Sequence, residues 1–513
     1  MTGPAPAAVP APGGWLAAAC DQFAELTQFL SGTDAAAMEH QELEERVQVS
    51  LREAGRLLLQ GFLGLRAAQE QRLPAVTGAD GAARTRAEQG RARILGTCFG
   101  DVTVPRIAYR RAGVPDLHPA DGQLNLPPGR DSWTMQKLTV IHAADCSYEN
   151  AAGAVERATG QRPGKRQAEQ MMIAAAADYG DFYASGHYQP PELAAGDVLA
   201  LECDGKGIAV LPSEMRAEWA RKSRKSVPKQ DGRLSRGEVR NRKRMAETGA
   251  VFAVTPVPRT AGDVLRPPEG TPAAGPPATH TPRARDKRVT ASIARPAAEV
   301  VADVFAEADR RDPGREHTWI ALADGNVHQL TRIRAEADDR GVTLTIICDF
   351  IHVTEHLWSA AWCFFPEASP QAGPWVRQHA AAILNGQARQ VAAAIRDQIT
   401  AAGPALTSTK HQQASAAAGY LDAKAPYLDY PQALKSGWPI SSGVIEGTCR
   451  HLVKDRLAIT GARWTVPGAE AVLKIRALLA SGDFDTYWTY HLQRERERNH
   501  QTRYLNGTIP RAA

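Results

Sequence analysis

The chain has 513 residues, of which 43% are hydrophobic and 23% charged, and its formal net charge is only +5. This length suits about two to four domains, and the composition is ordinary for a soluble globular protein. The seven cysteines form no Cys-x-x-Cys pair, so neither a zinc ribbon nor a disulfide framework is indicated. No apolar run has the length of a membrane helix and no signal-peptide pattern opens the chain, so we expect a cytoplasmic protein without a membrane span.

The first part of the chain predicts a disordered start, a long helix and a β-hairpin. The beginning is rich in Pro, Ala and Gly, and we expect 1–35 to be disordered. From about Asp34 to Leu73 the pattern is helical. Apolar residues recur there at roughly helical spacing: Val47, Leu51, Leu58 and Phe62. Residues 92–111 carry two β-rich runs divided by Gly100-Asp101, which predicts a hairpin.

A pair of helices follows the hairpin. The sequence predicts a helix from Tyr148 to Thr159, a break over 160–164, and a second helix that opens with Lys165 and Arg166. This outline, over about 148–175, is that of a DNA-binding helix–turn–helix. Most such segments are plain packing pairs, so both interpretations stay open. A DNA-binding region is the hypothesis for 36–190.

A basic stretch lies between Arg221 and Arg244, with eleven Lys or Arg and only two acids. Such a run is usually a solvated arm, and its other common use is to neutralise nucleic-acid phosphates. The candidate phosphate-binding residues are Arg233, Arg236, Arg240, Arg242, Lys243 and Arg244.

The middle of the chain has an informative order of elements. In chain order it predicts a strand ending at Asp204, strands at 251–257 and 288–294, a helix over 297–311, a strand ending at Asp324, a helix from Val327 to Arg340, and a strand ending near Asp349. The order β-β-β-α-β-α-β is that of the RNase H-like fold, whereas a doubly wound nucleotide-binding fold alternates strands and helices from the start. We therefore expect an α/β RNase H-like core in two parts, 197–352 and 437–495. A helical insertion over 353–436 separates them, and a tail covers 496–513.

Three acids are placed for chemistry on this plan. Asp204 follows the first strand and Asp324 the fourth, and the ends of these two strands are neighbours in the fold. Glu446 lies in the first turns of a later helix. Singly, such residues are more often turn or helix-dipole residues than ligands. Jointly, three carboxylates offer hard oxygen ligands to two Mg²⁺ or Mn²⁺ ions, which promote displacement at a phosphodiester.

Asp349 competes with Asp324 as the second ligand, because it also ends a strand. It opens a segment that contains His352 and His356, four residues apart, as metal-binding pairs often are. The segment lacks the H-E-x-x-H order of zinc hydrolases. It is therefore interpreted either as support for the carboxylate site or as the centre of a zinc-dependent hydrolase.

Several strings resemble bacterial insertion-sequence transposases of the Kra-four type, relatives of the Mutator-like DDE group. They are CDFIHVTEHLW, SSGVIEGTCRHLVKDRL, GARWTVPGAEAVLKIRALLASGDFDTYW and, upstream and in the same order, GTCFGDVTVPRIAYRR, LECDGKGIAV, NRKRMAE and LADG. The resemblance covers roughly residues 40–495.

The resemblance implies a DNA transposase with a DDE triad, Asp204, Asp324 and Glu446, and two Mg²⁺ (or Mn²⁺) ions. It implies DNA partners, namely terminal inverted repeats and target DNA, and we expect a homo-oligomer. The residues expected to assist are His352, His356, Arg450 and Lys454, the last two by contacting DNA. The alternatives are a DNA-binding regulator with an inactive core, and the zinc hydrolase described above.

Overall fold

The computed structural model describes residues 12–215, 243–265, 281–459 and 462–511, and its fold is mixed α/β. The chain divides into two compact units. The terminal unit consists of 1–188 and 484–513, and the central unit of 189–483. Among the described residues, no helix combines the length and the apolar character needed to cross a membrane.

The terminal unit is mainly helical. Its long helices are Pro12–Leu30, His40–Gln69, Trp133–Asp145, Tyr148–Thr159, Lys165–Ala175 and Phe484–Asn499. Its short helices are Thr33–Ala36, Pro119–Gln123 and Tyr179–Ala184.

The expected disorder over 1–35 is wrong for the described part of that range, where Pro12–Leu30 forms a helix. The helix buries Ala19 and Leu26, and the Arg46 guanidinium lies 4.1 Å from the centre of the Phe29 ring. The Pro-rich composition was therefore a poor guide to Pro12–Leu30, where apolar packing supports a helix.

The predicted long helix is confirmed as His40–Gln69, but several of its apolar side chains face outward. Leu51, Leu58 and Phe62 are 46%, 50% and 48% exposed. Helical spacing of apolar residues thus predicted the helix, and not the side that it buries.

The predicted hairpin is part of a three-stranded antiparallel sheet. After the two short strands β1 (Val76–Thr77) and β2 (Ala83–Arg84), the sheet consists of β3 (Arg86–Thr97), β4 (Gly100–Arg111) and β5 (Val114–Leu117). Thr97 pairs with Gly100, so the turn is Cys98-Phe99 and not Gly100-Asp101. Gly100 has a φ of +128°, which glycine adopts far more readily than other residues.

The predicted helix pair has the expected bounds, Tyr148–Thr159 and Lys165–Ala175. The Ser147 side chain accepts a hydrogen bond from the Asn150 amide at the start of the first helix, and Gly160 ends that helix with a φ of +75°. Both helices pack against Trp133–Asp145, so the segment is a three-helix cluster.

The central unit is built on a five-stranded mixed sheet. Its strands are β6 (Val198–Ala209), β7 (Lys243–Val254), β8 (Ala284–Ser292), β9 (Thr318–Ala323) and β10 (Leu344–Cys348), in the spatial order β10-β9-β6-β7-β8. β6, β7 and β8 are antiparallel neighbours, whereas β9 runs parallel to β6 and β10 parallel to β9. The predicted order of strands and long helices is confirmed.

β6 does not end at Asp204 as expected but runs on to Ala209. Its pairing with β9 stops at Glu202 and Leu322, while its pairing with β7 continues as far as Ala209 and Lys243. Asp204 therefore lies just past the point where β6 loses one of its two neighbours.

Helices flank this sheet and follow it. They are Ala261–Val264, Ala297–Arg311, Val327–Arg340, Phe350–Phe364, Ala372–Leu384, Ala388–Ala402, Ser408–Lys424, Tyr430–Lys435, Gly443–Thr448, Asp455–Leu457 and Val466–Ser481. The segment 353–436 is helical as predicted and shares a continuous buried core. In Val466–Ser481, the Glu470 carboxylate accepts hydrogen bonds from the Ile293 and Ala294 amides, which ties this helix to the end of β8.

Candidate functional site

Three predicted acids line one cavity of the central unit. Asp204, Asp324 and Glu446 all border a cavity of ≈ 750 Å³. They come from β6, from the turn after β9, and from the helix Gly443–Thr448. Asp324 follows Asp204 by 120 positions (324 − 204), and Glu446 follows Asp324 by 122 (446 − 324). The adjacency of β6 and β9 and the packing of the later helix bring the three acids together.

Asp204 is fixed by its neighbours on β7 and on the later helix. The Cys449 thiol donates a hydrogen bond to its Oδ2 at 3.1 Å, and the Thr248 hydroxyl donates to its carbonyl oxygen at 3.0 Å. Burial and the nearby Asp204 carboxylate raise the pKa of Cys449 to about 12, so the thiol keeps its proton and remains a donor. The other carboxylate oxygen of Asp204, Oδ1, accepts a hydrogen bond from the Gly205 amide at 2.6 Å.

Asp324 sits in a tight turn. Its Oδ1 accepts from the Asn326 amide at 2.7 Å, and the Tyr420 hydroxyl donates to its carbonyl oxygen at 3.2 Å. Gly325 has a φ of +88°, and a Cβ there would lie 2.8 Å from the Tyr420 oxygen. Glycine is therefore required next to this acid.

Glu446 and the residues after it present mixed charge to the cavity. Its carboxylate is exposed and accepts no hydrogen bond from any described residue. The helix continues through a π-helical turn, Cys449–Lys454, a geometry often found at functional sites. Arg450 and Lys454 lie in this turn and line the cavity, as does Lys206 of β6.

Asp349 lies apart from this lining. It is 2% exposed, and its Oδ1 accepts from the Ile351 amide at 2.7 Å as the N-cap of the helix Phe350–Phe364. Its Oδ2 accepts a hydrogen bond from the Ser442 hydroxyl. Asp349 is therefore buried in structural contacts and, unlike Asp204, does not line the cavity.

A buried acid that the sequence analysis missed lies beside it. Glu202 is 1% exposed, and its Oε2 accepts from the Ile445 amide at 2.5 Å. Burial, with a smaller contribution from Asp349, raises the pKa of Glu202 to about 8, although the Ile445 contact opposes this. The available signal was an acid inside an apolar strand, two residues before Asp204. Glu202 and Asp349 thus hold the segment Ser442–Ile445, which leads directly into Glu446.

The two predicted histidines have different surroundings. His352 lines the cavity, and its Nδ1 lies 3.0 Å from Glu355 Oε2. Burial opposes protonation of His352, but Glu355 and Asp349 outweigh it and raise its pKa. His356 stacks on Tyr420 at 3.8 Å, and burial, reinforced by His352, lowers its pKa.

Close metal-ligand clusters are scarce in the described part of the chain. The one group of three potential ligand atoms that all lie within 4.8 Å of one another is Asp178, His491 and Glu495, in the terminal unit. Asp349, His352 and His356 form no such group. Nor do Asp204, Asp324 and Glu446. In two-metal sites of enzymes the ions are generally about 3.5–4 Å apart, so carboxylates that bind different ions can lie farther apart than this.

The group in the terminal unit is occupied by its own ion pairs. Asp178 is buried and accepts from His491 Nδ1 at 2.7 Å and from Arg498 Nη2 at 2.6 Å. Arg498 also contacts Glu495. The cluster therefore ties the helix Phe484–Asn499 to the residues before Tyr179, and sequence analysis did not predict it.

The predicted phosphate-binding residues are only partly described. Lys165 contacts the Glu149 carboxylate, and Arg166 is exposed. Lys243 and Arg244 belong to the regular strand β7 and not to an arm, because they pair with the extended part of β6. Arg233, Arg236, Arg240 and Arg242 lie outside the described residues.

Comparisons with known proteins add no family to these observations. No family model matches the chain, and no curated protein matches it significantly.

Proposed function

We propose that this chain is a DNA transposase of an insertion sequence, with an RNase H-like catalytic core and a DDE triad of Asp204, Asp324 and Glu446. The observation that carries the proposal is the meeting of these three carboxylates in one cavity that also exposes Arg450 and Lys454. A cluster of acids beside cations suits a site that binds divalent ions and a polyanionic strand together.

The sheet supports the RNase H-like part of the proposal. Three antiparallel strands precede the first long helix, and the first strand, β6, lies beside the fourth, β9. Both features are expected of that fold. They bring Asp204 and Asp324 to the same edge, because β6 and β9 run parallel and both acids follow the last pair of residues that joins them.

The cavity fits hard divalent ions, since three carboxylates provide oxygen ligands. Two Mg²⁺ or Mn²⁺ ions held by Asp204, Asp324 and Glu446 would supply Lewis-acid activation of a phosphodiester. The remaining roles, binding the DNA and positioning the acids, belong to the chain's own residues. Arg450 and Lys454 bind and orient the strand's phosphates, and Glu202 and Asp349 hold the segment that presents Glu446.

The terminal unit supplies the DNA-recognition part of the proposal. Its three-helix cluster has the outline of a helix–turn–helix, with Lys165 and Arg166 opening the candidate recognition helix. We propose that it binds the terminal inverted repeats and that the working enzyme is a homo-oligomer, because two DNA ends must be processed together.

The test is cleavage of linear DNA that carries this chain's own gene with its flanking sequence. We expect Mg²⁺-dependent strand breaks at defined positions outside the gene, and none with Asp204→Asn. A wild-type protein that binds this DNA in a salt-sensitive manner but never breaks a strand would indicate a DNA-binding regulator instead.

A further inference from the structure

A second cavity lies against the same acids. Its volume is ≈ 320 Å³, and it shares Cys203, Asp204 and Asp324 with the first cavity. The two acids therefore border both spaces. A strand whose scissile phosphate lies at Asp204 and Asp324 can extend into each cavity, one on either side of the cut.

The walls of the second cavity are of two kinds. One wall is polar and consists of the first turns of the helix Val327–Arg340, with His328 and Arg332, preceded by Asn326. The other lining residues include the apolar Met245, Ala297 and Val300, and also the acid Glu247. The cavity thus offers polar groups to a phosphate and apolar surface to a sugar and base.

Arg332 is the cation of this wall. It is exposed, and no described residue forms an ion pair or hydrogen bond with it. The neighbouring Gln329 donates its amide to the Cys203 carbonyl oxygen, which fixes this end of the helix to β6 next to Asp204. The guanidinium is thus available to a ligand and is carried by an element that is anchored to the acidic centre.

We propose that the second cavity binds the nucleotide next to the scissile phosphate. Arg332 and His328 contact its phosphate, and Met245, Ala297 and Val300 contact its sugar and base. The opposite flank of the strand lies in the first cavity, along Arg450 and Lys454. This inference rests on the proposed function, because it takes the strand that the site would cut as its ligand.

Salt dependence of DNA binding tests the contact. The probe is a single-stranded DNA oligonucleotide of mixed sequence, and binding is followed by fluorescence anisotropy at several salt concentrations. Loss of one phosphate contact on a single strand lowers the slope of log K against log salt by about 0.7. We expect this loss with Arg332→Ala and its recovery with Arg332→Lys.

Arg389→Ala is the matched control. Arg389 is an exposed arginine of the helix Ala388–Ala402 and lines neither cavity, so the slope should stay at the wild-type value. An unchanged slope with Arg332→Ala, or an equal loss with Arg389→Ala, would overturn the inference.

The position relative to the cut is tested with a neutral methylphosphonate next to the scissile phosphate. On the flank that occupies the second cavity, the methylphosphonate should slow cleavage by the wild type about tenfold, the usual effect of losing a charge-assisted hydrogen bond. Cleavage by Arg332→Ala should be slowed much less. Equal slowing of both proteins on both flanks would contradict the assignment.

The two proposals fail in different ways. If DNA is cut in an Asp204-dependent manner and Arg332→Ala behaves as the wild type in both assays, the subsite is wrong and the proposed function stands. If the wild type cuts no DNA but Arg332→Ala lowers the slope of log K against log salt, the proposed function fails and the cavity remains a DNA-binding site.

Discussion

Two buried acids hold the polypeptide that carries Glu446. Glu202 accepts from the Ile445 amide, and Asp349 accepts from the Ser442 hydroxyl. The first bond spans a sequence separation of 243 positions and the second a separation of 93. No local pattern contains such pairings. The sequence could therefore show that Asp349 ends a strand, but not that its two oxygens are used to cap a helix and to bind Ser442.

Glu202→Leu should separate this holding role from simple space filling. The leucine leaves the buried Ile445 amide without its acceptor, which costs about 1–3 kcal/mol of unfolding free energy. Glu202→Gln keeps an oxygen acceptor of the same shape and should lose much less. Urea unfolding measures the free energies, and the Mn²⁺ concentration needed for half-maximal cleavage should rise in the leucine variant. Equal behaviour of the two variants would show that the Ile445 contact does not matter.

Asp349→Ala should lower the free energy of unfolding. Loss of an N-cap costs about 0.5–2 kcal/mol, and the unpaired Ser442 hydroxyl adds to this cost. Asp429→Ala, at the exposed N-cap of Tyr430–Lys435, is the matched control, because it removes a cap without a second buried contact. Thermal unfolding should therefore show the larger loss for Asp349→Ala.

At the scale of secondary structure, helices were predicted more accurately than strands. Tyr148–Thr159 and Val327–Arg340 have the expected bounds, because caps such as Ser147, Gly160 and Gly341 are local signals. β6 and β7 are longer than predicted. Their outer residues mix polar side chains such as Lys206 and Lys243 with apolar ones such as Ile208, and they pair only with each other's strand, so no continuous apolar run marks them.

The ion-pair cluster that anchors the helix Phe484–Asn499 predicts a pH-dependent stability. Burial alone would raise the pKa of Asp178, but the hydrogen bonds from His491 and Arg498 outweigh burial and hold the pKa below its ordinary value of 3.8. A carboxyl with a lowered folded-state pKa contributes stability above its ordinary pKa and loses it as the pH falls through the folded value.

Asp178→Asn should accordingly be less stable than the wild type at neutral pH, and the difference should shrink as the pH falls below 3.8. Thermal unfolding across this range measures it. Asp485→Asn is the control, because Asp485 is largely exposed and pairs with Lys137 at the surface, where a salt bridge contributes little. A gap between Asp178→Asn and the wild type that is the same at all pH values would refute the role of the charge.

At the scale of the whole molecule, the division into two units makes a prediction about folding. The central unit is one continuous piece, 189–483, with its own sheet and buried cores. Expressed alone, it should unfold in a single cooperative transition, as calorimetry can show. A broad, non-cooperative transition would mean that the central unit depends on the terminal unit for its fold.

The chain order predicted the central sheet well, and with it the placement of Asp204 and Asp324 at one edge, because strand adjacency follows from few topological rules. It did not predict the second cavity. Met245 lies on β7 and Arg332 on the helix Val327–Arg340, far apart in sequence, and only the folded chain places both beside Asp204. The helix Pro12–Leu30 was missed for a related reason, since its packing partners are not visible in its composition.

The central claim is that Asp204, Asp324 and Glu446 form one catalytic centre. Its most direct test is single-turnover cleavage in Mg²⁺ of DNA that carries the chain's own gene and flanks, by four isosteric variants of equal fold. We predict a loss of at least about 100-fold for Asp204→Asn, Asp324→Asn and Glu446→Gln, and retained cleavage for Asp349→Asn. Cleavage that survives in Asp324→Asn and disappears in Asp349→Asn would contradict the account.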